Sequence, residues 1–479
     1  MKHLMVLPSD NLVGRRSFLT RCAACVAAPA CAAAAKSGIP ALPDPLKADA
    51  GTRTRIRLVF TQAPKDVQGW PYVNFDYESK KKEFLAKVTA ACPNMEFLPV
   101  TSMSTAESKA ILEKDAEVDG YLVYLMGIPS YGAGTTIAMS GKRAVVVDHL
   151  YGGTGEFLGC AGPAKRNGLP VAAVSSTRFE HVAQAVRALD AVARMKNETI
   201  VCVARRDRSK LEAGIRDSMG AKVVTVPGQE LNSLYDSTSE KAGGEWAQQW
   251  MKGAAKVLEP TRADVVEGGR MYLAMVELLK QQKSRAITVD CLDLFYGKLL
   301  RAYPCLGFFQ LNNDNHVGAC EADLTSTATM LLMSHVAGQP GFISDPVIDT
   351  SKNQIIYAHC VGSNLVYGPK GKANPYEIRS HSEDRKGAAV RSLMPLGVMT
   401  TTIEFLPLKK EVLFHQAKAV ENIDEDKACR TKLAAEVKDA YKLIEGWRDG
   451  WHRVTYYGDQ RAAVEAAASL MGFKVTVEG

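Results

Sequence analysis

The chain has 479 residues, 46% of them apolar and 23% charged, the balance of a water-soluble globular protein and too long for a single hydrophobic core. Its formal charge is +7, and four cations (Lys2, Arg15, Arg16, Arg21) against Asp10 place +3 of that in the first 35 residues. The +4 left for everything after is too little to organise binding to nucleic acid or to an anionic membrane.

The N-terminal stretch "GRRSFLTRCAACVAAPACAAAA" joins an arginine pair, Arg15-Arg16, to a weakly hydrophobic alanine-rich run. It resembles a twin-arginine export signal, with small residues at Ala32 to Ala35 suited to a signal peptidase. The run is too short to span a bilayer, so no stable membrane anchor is expected and the mature protein is placed in the periplasm. A lipoprotein site at Cys31 is the weaker alternative, since Ala28-Pro29-Ala30 lacks the usual leucine. Residues 1–50 are assigned to this leader and a linker, and three of the eleven cysteines, Cys22, Cys25 and Cys31, lie in the leader. The other eight cysteines are scattered without metal-ribbon or redox spacing and read as free thiols.

From Arg55 onward, apolar runs alternate with helical stretches. "RIRLVF" (55–60), "DGYLVYL" (119–125), "RAVVVD" (143–148) and "LPVAAVSS" (169–176) read as buried parallel strands of a first α/β domain, 51–177. The amphipathic helix "HVAQAVRALDAVARMK" (181–196) opens a second α/β domain, 178–338. It continues through "ETIVCVAR", a helix stopped by Gly220, "KVVTVP", the helix 270–283 and the strand "RAITVDCL". After 338 the runs alternate in polarity ("NQIIYAHCV", "VMTTTIEF", "HRVTYYGD"), predicting a mainly antiparallel β domain over 339–479 that ends in a helix and the strand "KVTVE". The fold class is therefore α/β: two Rossmann-like domains followed by a β-rich one. The glycine-rich "DHLYGGTGEF" (148–157) lacks the lysine of a phosphate-binding P-loop and reads as a strand-end loop.

One stretch resists a purely structural reading. In "ACEADLTSTATMLLMSHVAGQPGFISDP" (319–346), Glu321 and Asp323 precede a small-apolar helix, and Asp345 ends the apolar run that follows. Acids at a helix start favour its dipole, and that suffices for Asp323. Glu321 and Asp345 with a later histidine would instead make a hard, oxygen-rich site suited to Mn²⁺, Mg²⁺ or Fe²⁺.

This stretch, with "MYLAMVELLKQQKSRAITVDCL" before it and "GWHRVTYYGDQRAAVEAAASLMGFKV" near the C-terminus, resembles the L-fucose isomerase family, related to L-arabinose isomerases. The resemblance is clear over 268–345 and 451–475, patchy between them, and one of texture over 55–260. It implies a fucose isomerase-like fold, metal ligation by Glu321, Asp345 and His452, and Glu321 and Asp345 as the catalytic acids and bases of aldose–ketose interconversion through a cis-enediol. Mn²⁺ is the metal it implies first, with Mg²⁺, Fe²⁺ or Co²⁺ as alternatives. The substrate would be a small sugar and the assembly a homo-oligomer, trimeric or hexameric, in which a neighbour's first domain can reach the site. Further substrate-binding candidates are His359 at a strand end, Arg379 and His381 in "IRSHSED", His316 one turn before Glu321, and Trp451 as a stacking face. Asp459 replaces the family's glycine-turn histidine and the chain is shorter, so the sugar is not carried over. A metal-dependent epimerase or lyase on a sugar derivative and a non-catalytic periplasmic sugar binder are the other readings.

Overall fold

The computed structural model describes residues 53–128 and 132–479. The stretch expected to be an export leader, with the Cys31 alternative, lies outside these residues. Among the described residues no helix is long and apolar enough to cross a membrane.

The first sheet is parallel throughout, in the order β2-β1-β3-β4-β5, built from β1 (Thr54–Thr61), β2 (Met95–Ser102), β3 (Gly120–Leu125), β4 (Ala144–Asp148) and β5 (Val171–Val174). Strands β3 and β4 are buried along almost their whole length, as continuous apolar runs in a covered sheet must be. Strand β2 escapes a reading by apolar run because it is partly exposed and contains Pro99. Proline is tolerated there because β2 is an edge strand and its missing N–H faces no partner.

A second parallel sheet, in the order β10-β9-β6-β7, is formed by β6 (Thr199–Val203), β7 (Lys222–Val226), β9 (Ala286–Val289) and β10 (Val317–Cys320). Strand β8 (Lys256–Val257), from the same stretch of chain, instead pairs with β13 (Tyr376–Arg379), which pairs with β14 (Ala389–Ser392). The rest of the C-terminal part closes on itself. Strands β11 (Phe342–Asp349), β12 (Gln354–His359), β15 (Met399–Leu406), β16 (Glu411–Asn422), β17 (Thr431–Glu436) and β18 (Arg453–Tyr457) run β15-β18-β11-β12-β17-β16, and β16 pairs back to β15. The result is an antiparallel barrel with no free edge in the ring. Strand β19 (Lys474–Val477) is added outside it, parallel to β16. The protein is thus a mixed α/β chain with parallel sheets and an antiparallel β-barrel.

Two helices tie these layers together. Helix Phe179–Met195 buries one whole face against helix Arg461–Met471, so the C-terminal helix returns to the first sheet rather than staying with the barrel. Helix Leu324–Ala337 lies between β9 and β10 on one side and the barrel strands β15 and β18 on the other. Being covered on both sides, it needs no polar face, which explains its small-apolar sequence. Each of its fully buried leucines, Leu324, Leu331 and Leu332, contributes roughly 1.5–3 kcal/mol. Asp323 caps it at the N-terminus, and Gly338, in the left-handed region at φ 62°, ends it.

Candidate active site

Glu321 stands at the carboxyl end of β10, where parallel sheets present ligand sites. Between the end of β10 and the helix at Leu324 the chain turns sharply, with Glu321 at φ 65° and Ala322 at φ 50°. Two consecutive non-glycine residues in the left-handed region cost about 1–3 kcal/mol each, and such strain concentrates at functional sites. The helix starts three residues later than Glu321, so the glutamate belongs to the turn and not to the helix. Asp345 likewise sits within β11, which runs on through Pro346 to Asp349, rather than at a strand end.

Strand register explains the convergence. Ser344 pairs with Arg453 across β11 and β18, which puts Asp345 beside His452, and Asp345 pairs with Ala358, next to His359 at the end of β12. Glu321, Asp345, His359 and His452 therefore meet at one end of the barrel, their ligand atoms all within 4.8 Å of one another. His452 Nε2 lies 2.9 Å from Asp345 Oδ1 and 3.5 Å from Glu321 Oε2, and His359 Nε2 lies 4.0 Å from Glu321 Oε1.

The two histidines present different faces. His452 Nδ1 is 2.8 Å from Asp323 Oδ2, which keeps a proton on Nδ1 and leaves Nε2, facing the carboxylates, as the nitrogen whose proton a cation would replace. His359 Nδ1 accepts the Cys360 N–H at 2.9 Å, so in the neutral ring the Nε2–H faces Glu321. Asp345 Oδ1 is a buried atom held 2.9 Å from His452 Nε2, and His359 Nε2 is a buried atom without a hydrogen-bond partner. Two partly buried carboxylates converging on an imidazole nitrogen are a donor set that fits a hard divalent cation held by Glu321, Asp345 and His452.

Electrostatics separate the carboxylates. Burial raises Glu321 above the ordinary range, helped by Asp345 and Asp323 and opposed by the two histidines. Burial also pushes Asp323 and Asp345 upward, but their contacts with His452 outweigh it and hold both below the usual value. His452 answers in kind: burial opposes its charge, yet Asp323 and Asp345 raise it to about 11.

Three supporting features are not evident from the sequence alone. Asp323 divides its work between its oxygens. Oδ1 caps the helix by accepting Thr325 N–H (2.9 Å) and Ser326 N–H (3.1 Å), while Oδ2 takes Ser326 Oγ–H (2.7 Å) and holds His452. Glu404, on β15, lies behind it with both oxygens 3.2 Å from Ser326 Oγ. Burial keeps Glu404 well above the carboxylate range, so it carries a proton to donate to Ser326, whose single hydroxyl proton goes to Asp323. Arg453, fully buried, fixes the backbone at His452: its Nη1 donates to His452 C=O at 2.8 Å and its Nη2 to Glu478 Oε1 at 2.7 Å.

Glu321 also faces a cavity of about 580 Å³ at the carboxyl ends of β6 and β9, lined by Arg205, Arg206, Arg208, Asp290, Asp293 and Tyr296 among others. Arg205 pairs with Asp293 at 3.0 Å, Arg206 approaches the same carboxylate at 3.8 Å, and Arg208 stands 3.6 Å from Asp290. The signal in the sequence is the basic run "ARRDR" directly after β6, at the ligand end of a parallel strand. Among the other candidates, Trp451 exposes its ring beside the site and donates Nε1–H to Pro346 C=O at 3.0 Å. His381 stacks on Tyr303 and lies 3.5 Å from Asp384, Arg379 pairs with Glu259, and His316 is buried behind the helix Cys305–Asn313. None of these four belongs to the four-residue cluster.

Comparison with known proteins bears on this site. No protein-family model matches the chain. It is 24% identical over 292 residues to the sulfoquinovose isomerase of Clostridium sp. (strain MSTE9), covering 56% of this chain and 60% of that protein. It is 23% identical over 153 residues to the sulfoquinovose isomerases of Priestia aryabhattai and Priestia megaterium (strain ATCC 12872 / QMB1551), covering 31% of this chain and 33% of each. The chain thus matches about three fifths of the first relative's length and one third of the others', and its similarity is to sugar isomerases.

Proposed function

We propose that this protein is a divalent-metal-dependent aldose–ketose isomerase working through a cis-enediol, with the fucose isomerase-like arrangement of domains 51–177, 178–338 and 339–479. The observation that carries the reading is the meeting of Glu321, Asp345 and His452, from three separate elements, with their ligand atoms within 4.8 Å of one another. Similarity to sulfoquinovose isomerases supports the reaction class. Mn²⁺ suits the donor set, with Mg²⁺, Fe²⁺ or Co²⁺ as alternatives, and when bound it would supply positive charge to stabilise the developing enediolate. Glu321, the carboxyl that burial raises, is the group that takes the proton from C2 and returns it at C1. Asp345 stays ionised beside it, and the His359 Nε2–H is available to a sugar oxygen. The arginines at the mouth of the cavity favour a sugar with an anionic substituent, such as the sulfonated sugar in the relatives' name. Export by the twin-arginine route and homo-oligomeric assembly belong to the same proposal.

The test is incubation of the Mn²⁺-loaded protein in D₂O with pentoses, hexoses, deoxysugars and sulfoquinovose, followed by proton NMR. Ketose formation is expected, with deuterium entering at C1 of the ketose and at C2 of the recovered aldose, and Glu321→Gln should lower turnover by about 10²–10⁴-fold without unfolding the protein. Exchange without ketose would move the assignment to an epimerase or lyase; full activity in Glu321→Gln would sink it. Arg208→Ala should raise KM for the sulfonated sugar and leave neutral sugars unaffected.

A further inference from the structure

Five of the eight described cysteines, far apart in sequence, gather behind the site. Cys305, Cys360 and Cys429 share one small apolar cluster with Tyr303, and Cys320 contacts Cys291. Cys360 follows His359 at the end of β12, and Cys429 lies two residues before Thr431, the residue that pairs with His359 across β12 and β17. That register brings a ring nitrogen of His359 and the sulfurs of Cys360 and Cys429 within 4.8 Å of one another. Two sulfurs and an imidazole form a soft donor set, opposite in preference to the carboxylate-rich group on the other side of the same ring.

We propose that His359, Cys360 and Cys429 form a second metal site, selective for thiophilic cations such as Zn²⁺, Cd²⁺ or Cu⁺, and that filling it withdraws His359 from the Glu321 side. Zinc–sulfur bonds of about 2.3 Å put tetrahedral donors about 3.7 Å apart, so closure from 4.8 Å requires movements of about an ångström. Cys429 can supply them: it is the one described cysteine that is not fully buried, and it sits in the loop between β16 and β17. The lone pair of the neutral His359 ring is on Nδ1, the atom that now accepts the Cys360 N–H, so the ring ligates on its thiol side. As each sulfur becomes a ligand, any proton it carries passes to the buffer. Turning the ring toward the sulfurs removes the Nε2–H from Glu321. Only this inhibitory consequence rests on the isomerase reading; the binding does not.

The experiment titrates the Mn²⁺-loaded full-length protein with Cd²⁺, following thiolate-to-cadmium ultraviolet absorption and proton release. One equivalent is expected to produce the band with proton release, to protect Cys429 from alkylation by iodoacetamide, and to abolish isomerisation. Cys429→Ser, a change in a loop, should weaken Cd²⁺ binding by at least about tenfold and restore activity in the presence of Cd²⁺. A band of unchanged strength and affinity in Cys429→Ser, or bound Cd²⁺ that leaves Cys429 open to alkylation, would overturn the proposal. Because absorption, protons and alkylation are read without turnover, they test this site even in a protein that is inactive on every sugar.

Discussion

Replacing Asp323 separates its two duties, because they fall on different oxygens. In Asp323→Asn the amide oxygen can keep the Oδ1 role and continue to accept the Thr325 and Ser326 N–H groups, and asparagine is as good a cap as aspartate. The amide nitrogen then faces His452 Nδ1, 2.8 Å away in the wild type, and can only donate to it. That forces the proton onto Nε2 and takes away the lone pair facing Glu321 and Asp345. Loss of such an outer partner costs about 10–100-fold in metal affinity, or about 1.4–2.7 kcal/mol. The helix cap itself should lose only a few tenths of a kcal/mol, and the metal-free fold loses in addition the Asp323 charge that faces His452. Asp323→Ala removes the cap as well and should cost a further 0.5–2 kcal/mol or so in stability. Isothermal titration with Mn²⁺ and denaturant unfolding of the metal-free proteins read the two quantities separately. Wild-type Mn²⁺ affinity in Asp323→Asn would refute the argument that Asp323 sets the tautomer of His452.

His452 makes the metal-free protein sensitive to alkaline pH. Its folded pKa, about 11, lies above the unfolded value of about 6.5, so its stabilising contribution is complete below about pH 6.5 and is lost as pH rises through about 11. Unfolding free energy of the metal-free protein should therefore fall over that window, and more steeply than in His452→Gln; parallel curves would show that His452 is not the group responsible. Metal binding near neutral pH should release a proton from the same ring, visible as a buffer-dependent binding enthalpy. Glu478→Gln should destabilise the barrel by about 3–5 kcal/mol in urea unfolding, because it leaves the fully buried Arg453 guanidinium uncompensated; a change below 1 kcal/mol or so would mean that water reaches it. Glu404→Gln should be nearly silent, within about 1 kcal/mol, since the amide replaces a neutral acid that donates to Ser326. A large loss there would show that Glu404 is ionised.

Local rules acting within a few residues were legible in the sequence. The apolar runs of β1, β3 and β4, the amphipathic stripe of Phe179–Met195, the Gly220 and Gly338 helix stops, and the change to alternating strands after 338 all follow from side-chain periodicity and backbone preference. Sequence also made Glu321 and Asp345 conspicuous, since acids flanking an apolar helix need a reason, while His452 was reached through family resemblance. Tertiary structure decided what no local pattern encodes. Barrel closure between β15 and β16 and the register of β11 with β18 are long-range pairings, and they alone put His452 against Asp345, 107 positions away in the chain. The second oxygen of Asp323, the proton on Glu404, the arginine wall at the ends of β6 and β9, and the thiols of Cys360 and Cys429 beside His359 exist only once those pairings form. Burial and neighbouring charge, which set protonation and ligand character, are properties of the assembled fold and not of the residue in its sequence.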